Sequence, residues 1–222
     1  IKLFSVIDTL NVHKHYAFQT IVFSDTILIF NKVAPETAHD HKYLVMYACE
    51  FVQDLIFRCR DLNIQFRAIL TYDEFYYQKL KHIEAYHGKA LINAYNKEKT
   101  ITGMWLYMDR RISVYNEIFS STTFDKDFDF IFLLQDFERI RYLGLDYFPL
   151  PKGLIEEFYD LEEEIQIIKA LKINIDTQSD SQIRSKYLQT YYLFKTRYKE
   201  IIEYLEANNF EYEKVFTDSV LS

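Results

Sequence analysis

Glycine and proline are scarce in this chain of 222 residues, which contains only 4 glycines and 3 prolines. Average usage is about 7% glycine and 5% proline, so this chain has few residues suited to tight turns. The shortage excludes collagen and Gly/Pro-rich low-complexity sequence. Because 49% of the residues are hydrophobic and 27% are charged, the chain can bury a full core built mainly from long helices and strands.

Cysteine is also scarce in the chain. Cys49 and Cys59 are the only cysteines, and ten residues within one predicted helix separate them by about 15 Å, too far for a disulfide. This usage predicts a reducing, cytoplasmic setting.

No apolar run approaches the roughly 20 residues of a membrane span, so we expect a soluble protein without a membrane partner. Since residue 1 is Ile and no signal peptide is evident, we expect the natural N-terminus to lie upstream.

The charge balance argues against a polyanion partner. The chain has 26 basic and 33 acidic residues and a net charge of −7. A nucleic-acid-binding protein usually shows a basic surface that neutralises phosphates. We therefore expect no nucleic acid among its partners.

The first part of the chain, residues 1–115, alternates between strand and helix patterns. The hairpin at Gln19–Phe30 is the clearest, because two β-branched segments flank a break at Ser24 and Asp25. Apolar residues three or four apart predict a helix over Thr37–Leu62, with Thr37 as its N-cap. The other predicted elements are strands at Ile1–Ile7, Gln65–Tyr72 and Ile101–Met108 and a helix at Lys89–Lys99. This order predicts an α+β domain, a ferredoxin-like or palm-type, antiparallel-rich sheet with helices on one face.

The second part, residues 116–222, has helical periodicity. The pattern begins at Phe130, Leu133, Leu134 and Phe137, and it returns over Leu154–Leu171 and Ile183–Asn208. These segments predict a helical C-terminal extension that packs on the first domain.

Two aspartates follow predicted strands and could hold metal. Asp8 comes after the first strand, and Asp25 lies in the hairpin turn. If the strands are neighbours, the two carboxylates form an oxygen-rich site suited to Mg²⁺ or Mn²⁺, and two such ions can activate a hydroxyl and stabilise a leaving phosphate. The alternative is that each aspartate is an ordinary turn residue.

The order of five segments, VID, FSDTILIF, FRAILTYDE, HGKALINAYNKEK and ITGMWLYMD, resembles the catalytic domain of class III nucleotidyl cyclases. Within that family it is most similar to the bacterial pyrimidine cyclases of antiphage (Pycsar) signalling. The resemblance covers about residues 1–112. The segment IRSKYLQTYYLFKTRY is similar to that subgroup's C-terminal helix.

The resemblance implies a reaction and a set of site residues. In the family, two aspartates hold two Mg²⁺ or Mn²⁺ ions, and these match Asp8 and Asp25. The nucleoside triphosphate's 3′-hydroxyl attacks its own α-phosphate, and pyrophosphate leaves. By position, the substrate-binding residues are Thr9, Leu10 and Asn11, whose backbone would cradle the triphosphate, together with the side chains of Arg67 and Lys89.

Several positions differ from the family pattern. Asn11, Ala68 and Asp73 stand where glycines are expected. With Gly88 and Glu98 as anchors, the family's transition-state asparagine falls on Ile92 and its arginine on Asn96. We assign the catalytic positions to Asn93 and Asn96. Ile21, at the base-reading position, is neither the lysine of adenylate nor the glutamate of guanylate cyclases, which argues against a purine without identifying UTP or CTP.

The connection between the first strand and the hairpin is short. Only ten residues, 9–18, separate these elements, whereas the family joins them through two helices and even a one-helix crossover needs ten to twelve residues. Our hypothesis is that the sequence lacks residues between about His15 and Gln19.

Three functional hypotheses follow. The first is a nucleotidyl cyclase that forms a 3′,5′-cyclic nucleotide and acts as a head-to-tail homodimer, as the resemblance implies. The second is a catalytically inactive cyclase-like module for dimerisation or nucleotide sensing, which the missing arginine and glycines favour. The third is a palm-domain nucleotidyltransferase with the same two-aspartate chemistry.

Other polar and aromatic groups have ordinary explanations. His39 and His41 form an H-x-H pair, but no third metal ligand follows at a recognisable spacing. Arg110 and Arg111 could meet a triphosphate from a dimer partner, but an ordinary surface patch is the favoured interpretation. The tyrosine pairs could stack on bases, but at helical spacing they are typical of cores and contacts between chains.

Overall fold

A computed structural model describes residues 2–13, 17–60, 62, 64–143 and 148–218, without the side chains of residues 11–13. The predicted α+β class, with antiparallel-rich sheets and C-terminal helices, is confirmed. The chain divides into two compact units: residues 1–101 with 105–133, and residues 102–104 with 134–222. The division therefore falls after Leu133, later than the boundary near 115 that we predicted. In the described residues no helix is long and apolar enough to cross a membrane.

The first unit contains twelve described elements. In chain order they are α1 (Lys2–His13), β1 (Phe18–Phe23), β2 (Thr26–Asn31), α2 (Ala38–Arg60), β3 (Arg67–Leu70), β4 (Tyr76–Lys79), β5 (Glu84–His87), α3 (Lys89–Thr100), β6 (Trp105–Asp109), α4 (Arg110–Ser113), β7 (Ser121–Thr123) and β8 (Phe128–Ile131).

The second unit is mostly helical. Its elements are α5 (Gln135–Leu143), β9 (Leu150–Pro151), a 3₁₀ helix (Lys152–Glu157), α6 (Leu161–Thr177), α7 (Ser181–Arg197), α8 (Lys199–Ala207), a second 3₁₀ helix (Tyr212–Val215) and β10 (Phe216–Thr217). The short strands β9 and β10 pair in parallel.

A four-stranded sheet in the order β3-β6-β8-β7 organises the first unit. β3 and β6 are parallel, with Arg67 opposite Trp105 and Leu70 opposite Met108. β8 is antiparallel to both β6 and β7. Two antiparallel hairpins, β1-β2 and β4-β5, form separate two-stranded sheets.

The prediction of a strand over Ile1–Ile7 is wrong, because residues 2–7 belong to helix α1; Ile1 lies outside the described residues. Ile7 and Leu10 are almost fully buried with Phe51 and Leu55 of α2, and Leu3 and Val6 pack against the same cluster. These four α1 residues recur at intervals of three, one and three, the spacing of a helix face. The short connection to the hairpin therefore needs no missing residues to explain it; residues 14–16 lie outside the described part of the chain.

The prediction of helix around Phe130 is also wrong. Phe128–Ile131 forms β8, all four residues are buried, and the strand has hydrogen-bonded neighbours on both sides. A fully buried strand shows a continuous apolar run rather than alternation, so periodicity alone does not distinguish it from a buried helix. Helix α5 begins only at Gln135.

The strongest local patterns gave correct elements. Thr37 caps α2 as predicted: the Asp40 amide donates to Thr37 Oγ1 at 3.2 Å, and the Thr37 amide donates to Asp40 Oδ2 at 2.9 Å. This reciprocal arrangement satisfies two amides at the start of the helix. The predicted β1-β2 hairpin, β3 and α3 are confirmed, whereas β6 begins at Trp105 rather than at Ile101.

Candidate functional site

Asp25 occupies the predicted position at the tip of a hairpin. Phe23 pairs with Thr26, which leaves Ser24 and Asp25 as the two turn residues. Ser24 has φ 56°, the positive value that such tight turns require. The Asp25 side chain is exposed. Its role as a metal ligand stays a prediction.

The structure does not form the phosphate turn that we predicted after Asp8. Asp8, Thr9, Leu10 and Asn11 all lie within α1. Thr9 Oγ1 donates to the Ser5 carbonyl at 2.8 Å, and Leu10 is only 2% exposed in the apolar cluster. Backbone amides inside a helix donate to carbonyls four residues earlier, so this segment cannot cradle a triphosphate. Asp8 is exposed on a helix and does not end a strand.

Arg67 and Glu98 connect the start of β3 to the end of α3. Arg67 Nη1 donates to the Glu98 carbonyl at 2.5 Å and to Glu98 Oε1 at 2.7 Å. The Arg67 side chain is only 10% exposed. In this conformation the predicted phosphate-binding arginine anchors the helix.

The predicted residues of α3 lie on one helix face. Lys89, Asn93 and Asn96 are spaced four and three residues apart, which aligns their side chains. Asn93 Nδ2 donates to Asp73 Oδ2 at 3.3 Å. Lys89 Nζ lies 3.6 Å from Glu74 Oε2, and both side chains are more than half exposed. Asn96 is exposed further along the helix.

Asp73 and Asp109 share the guanidinium of Arg111. Arg111 Nε lies 3.0 Å from both carboxylate oxygens of Asp109, and its Nη2 lies 2.5 Å from Asp109 Oδ2. Its Nη1 lies 3.3 Å from Asp73 Oδ2. With Asn93 and Lys89, these residues form a polar cluster where parallel strands β3 and β6 end beside the start of α3. We call these five residues the strand-end cluster.

Hydrogen bonds set the electrostatics of the strand-end cluster. The Glu74 backbone amide, followed by the Arg111 guanidinium, holds the pKa of Asp73 below its usual value. Hydrogen bonds to Asp109 raise the pKa of Arg111, so the guanidinium keeps its charge. Asp109 is buried, with its side chain 7% exposed, whereas the Arg111 side chain is 53% exposed. A solvent-facing cation thus covers a buried anion.

A glycine brings the chain after β3 against the start of α3. Gly88 precedes α3 with φ 146°, and the Ala90 amide donates to the Glu74 carbonyl at 3.1 Å. A side-chain carbon at Gly88 would lie 2.2 Å from that carbonyl oxygen. Only glycine permits this approach, which places Asp73 beside Asn93.

The described residues contain no group of three or more His, Cys, Asp or Glu side chains placed to hold one metal ion. Mg²⁺ often uses only one or two carboxylates and completes its coordination with substrate phosphates and water. Asp25 fits that donor set as an exposed single carboxylate, whereas Asp73 and Asp109 are both bound to Arg111.

Two features of the strand-end cluster were not predicted from the sequence. In the sequence, Asp73 stands out only as a residue in place of an expected glycine, and Asp109 has no predicted role. The one local signal is the Asp-Arg-Arg sequence after β6: the Arg111 amide donates to Asp109 Oδ1 at 2.9 Å, so Asp109 caps α4. Nothing in the sequence pairs Arg111 with Asp73, which lies 38 positions earlier.

Arg111→Gln is expected to lower the free energy of unfolding by about 1–2 kcal/mol, because buried Asp109 loses its charged partner. The matched control is Arg110→Gln. The Arg110 side chain makes a longer contact, Nε to Asp129 Oδ1 at 3.4 Å, and the expected change is below about 0.5 kcal/mol. Urea unfolding of both variants measures the difference. Equal stability of the two variants would show that the shared guanidinium contributes nothing.

In comparisons with known proteins, no family model, curated protein or solved structure matches this chain.

Proposed function

We propose that this chain is a nucleotidyl cyclase that converts a nucleoside triphosphate to a 3′,5′-cyclic nucleotide and pyrophosphate. The observation that carries the proposal is the arrangement of the resembling segments. FSDTILIF forms a hairpin with Asp25 at its turn, and FRAILTYDE, HGKALINAYNKEK and ITGMWLYMD contribute β3, α3 and β6, with the two strands parallel. The similarity to Pycsar enzymes suggests UTP or CTP as substrate and a cytoplasmic role in antiphage signalling.

In the proposed reaction, the ribose 3′-hydroxyl forms a bond to the α-phosphorus, and the bond between the α-phosphorus and the bridging oxygen to the β-phosphate breaks. The hydroxyl proton passes to solvent, and pyrophosphate carries away the electron pair. Asp25 would hold Mg²⁺ or Mn²⁺, which supplies charge neutralisation on the phosphates. Lys89 is exposed at the start of α3 and can contact a phosphate; Asn93 can do so once its amide leaves Asp73.

Arg111 gives the strand-end cluster a second cation near Lys89. Its guanidinium is half exposed and touches Asp73 through a single 3.3 Å contact. A phosphate can replace Asp73 as the partner of Arg111 Nη1 while Nε and Nη2 remain bound to Asp109. Guanidinium geometry suits both carboxylates and phosphates.

A second candidate function is a catalytically inactive nucleotide-sensing or dimerisation module. Asp8 lies on a helix, its neighbours form no phosphate turn, and the Asp73 carboxylate occupies the amide of Asn93. These observations favour binding without turnover. Under either proposal the chain acts as a head-to-tail homodimer, and sedimentation at increasing protein concentration tests that assembly.

Asp25→Asn is expected to reduce cyclic-nucleotide formation at least about 100-fold, because an amide replaces an anionic metal ligand. The enzyme at high concentration is incubated with each of ATP, GTP, CTP and UTP and with Mn²⁺ or Mg²⁺, and products are identified by mass spectrometry. Asp176→Asn is the matched control, since Asp176 forms an exposed surface pair with Lys172, and it should retain activity.

Calorimetry with non-hydrolysable triphosphates separates the two candidates. Cyclic product that depends on Asp25 supports the cyclase. Triphosphate binding without product from any nucleotide supports the inactive module. If the protein neither binds a triphosphate nor forms product, both the cyclase and the nucleotide-sensing module are rejected, and sedimentation alone decides whether the chain is a dimerisation module.

A further inference from the structure

A cavity of about 220 Å³ lies within the first unit, between the first half of α2 and the segment that follows α4. From α2 it is lined by His39, Lys42, Tyr43 and Met46, which are spaced three, one and three residues apart and so share one helix face. Across from them lie residues 115–118. No residue of the strand-end cluster lines this cavity.

Aromatic rings form much of the wall. His39 meets Tyr43 edge to face, with ring centroids 4.5 Å apart and planes at 90°. Tyr115 is stacked on His41 at 4.7 Å with an angle of 11°, and His41 in turn meets Tyr72 at 5.4 Å. These contacts fix the rings before any ligand arrives, and fixed aromatic faces favour a flat, aromatic ligand.

The segment opposite α2 is held in place by its own hydrogen bonds. Asn116 Nδ2 donates to the Phe119 carbonyl at 2.7 Å, and the Phe119 amide donates to Asn116 Oδ1 at 3.0 Å. Phe119 is buried and anchors this segment. The cavity is therefore largely preformed, as ligand pockets usually are.

The polar groups around the cavity select among aromatic ligands. Besides Met46 and Ile118, every lining residue carries a side chain that can form hydrogen bonds. Asn116 is bound to Phe119, and Lys42 is bound to Glu117, so the remaining polar groups of the lining are the ring nitrogens of His39 and the hydroxyls of Tyr43 and Tyr115. A hydrocarbon ring would bury these three groups without partners, which is costly, whereas a ring with donors and acceptors along its edge can satisfy them. Nucleobases combine such an edge with two flat faces.

The charges around the cavity argue against a phosphorylated ligand. Lys42 forms an ion pair with Glu117 across the cavity, so the two charges balance. A phosphate approaching Lys42 would also approach the Glu117 carboxylate. The volume is below the roughly 300–1,000 Å³ of pockets for drug-sized ligands, which limits the ligand to a single base or nucleoside.

We infer that this cavity, which we call the α2 pocket, binds an uncharged nucleobase or nucleoside through stacking on its aromatic wall. The pocket is separate from the triphosphate site of the proposed function and does not depend on it. Tyr43 is 43% exposed, so its ring is accessible to a ligand and is not required for the core.

Saturation-transfer NMR with adenosine and uridine tests this inference. Both or one of the nucleosides should receive saturation from the wild-type protein, and Tyr43→Leu should weaken binding about tenfold or more, because stacking on the ring is lost. Ile118→Trp should also block binding by filling the cavity; Ile118 is 53% exposed, so the variant is expected to fold. Tyr192→Leu, at another exposed helical tyrosine, is the matched control and should bind as the wild type does.

Three results would overturn the inference. The first is no saturation of either nucleoside by the wild-type protein. The second is binding that Tyr43→Leu and Ile118→Trp both leave unchanged while their circular-dichroism spectra show folded protein. The third is tighter binding of N-acetyltyrosinamide than of either nucleoside, which would identify a protein side chain as the ligand.

Discussion

Gly88→Ala is expected to be among the most damaging substitutions in the chain, lowering the free energy of unfolding by about 3 kcal/mol or more. Gly88 has φ 146°, a conformation that residues with a side chain rarely adopt. The new carbon would lie 2.2 Å from the Glu74 carbonyl oxygen and 2.8 Å from the Phe75 Cα. Both contacts are with backbone, so no side-chain rotation relieves them. Thermal and urea unfolding measure the loss.

The same substitution should change the strand-end cluster. To relieve the contacts, the start of α3 must move away from the segment after β3, which separates Asn93 from Asp73. Triphosphate binding should therefore weaken in Gly88→Ala at a temperature where the variant is still folded. Gly153→Ala is the control, because an added carbon there meets nothing within 4 Å. A Gly88→Ala protein as stable as Gly153→Ala would contradict the predicted close approach.

Glu164→Ala is expected to destabilise the second unit by about 3 kcal/mol. The Glu164 side chain is fully buried, and it accepts hydrogen bonds from the backbone amides of Asp136 at 3.1 Å and Phe137 at 3.0 Å. These amides begin α5, where no carbonyl of the same helix is available to them. Removal of the carboxylate leaves two buried amides unpaired, at about 1–3 kcal/mol each. Glu162→Ala, at an exposed position on the same helix, should change stability by less than about 0.5 kcal/mol.

Glu164 also predicts a pH dependence. Burial raises the pKa of this carboxyl well above its ordinary value of 4.5, against the opposing effect of the two amides. A raised folded-state pKa means that the folded protein holds the proton more tightly than the unfolded chain does. Its stabilising contribution is therefore complete below about pH 4.5 and is lost as the pH rises through the folded-state pKa.

The measurement compares the wild type with Glu164→Gln across this range. Burial also raises the pKa of nearby Asp136, so the wild type alone would report both groups. The difference in unfolding free energy between wild type and Glu164→Gln should decrease as the pH rises from about 4.5, because glutamine does not titrate. A difference that is constant with pH would show that Glu164 has an unperturbed pKa.

Local sequence was sufficient to predict those elements whose pattern lies within one short segment. The β1-β2 hairpin follows from two β-branched runs around Ser24 and Asp25, and α2 follows from its apolar spacing and the Thr37 cap. Both features depend on residues within a few positions of each other. Their structure was therefore predictable without knowledge of the remaining fold.

Local sequence misled where an apolar run fits two structures. Residues 1–7 read as a strand when considered alone, but Leu3, Val6, Ile7 and Leu10 together form the helix face that packs on α2. The ten-residue connection before the hairpin already argues against a first strand, since it is at the lower limit for a one-helix crossover and too short for the two helices of the family. The opposite error occurred at Phe128–Ile131, where a helix was predicted and the structure has a strand. Burial on both faces removes the alternation that identifies a strand.

By itself, the sequence determined the α+β class, the hairpin that presents Asp25, and the alignment of Lys89, Asn93 and Asn96 on α3, because backbone periodicity and turn chemistry are local. Only the tertiary structure decided that Asp8 lies on a helix and that Arg111 joins Asp109 to Asp73. The parallel pairing of β3 with β6 and the close approach at Gly88 bring these distant residues together. Such contacts depend on strand order and helix packing, which no local pattern specifies.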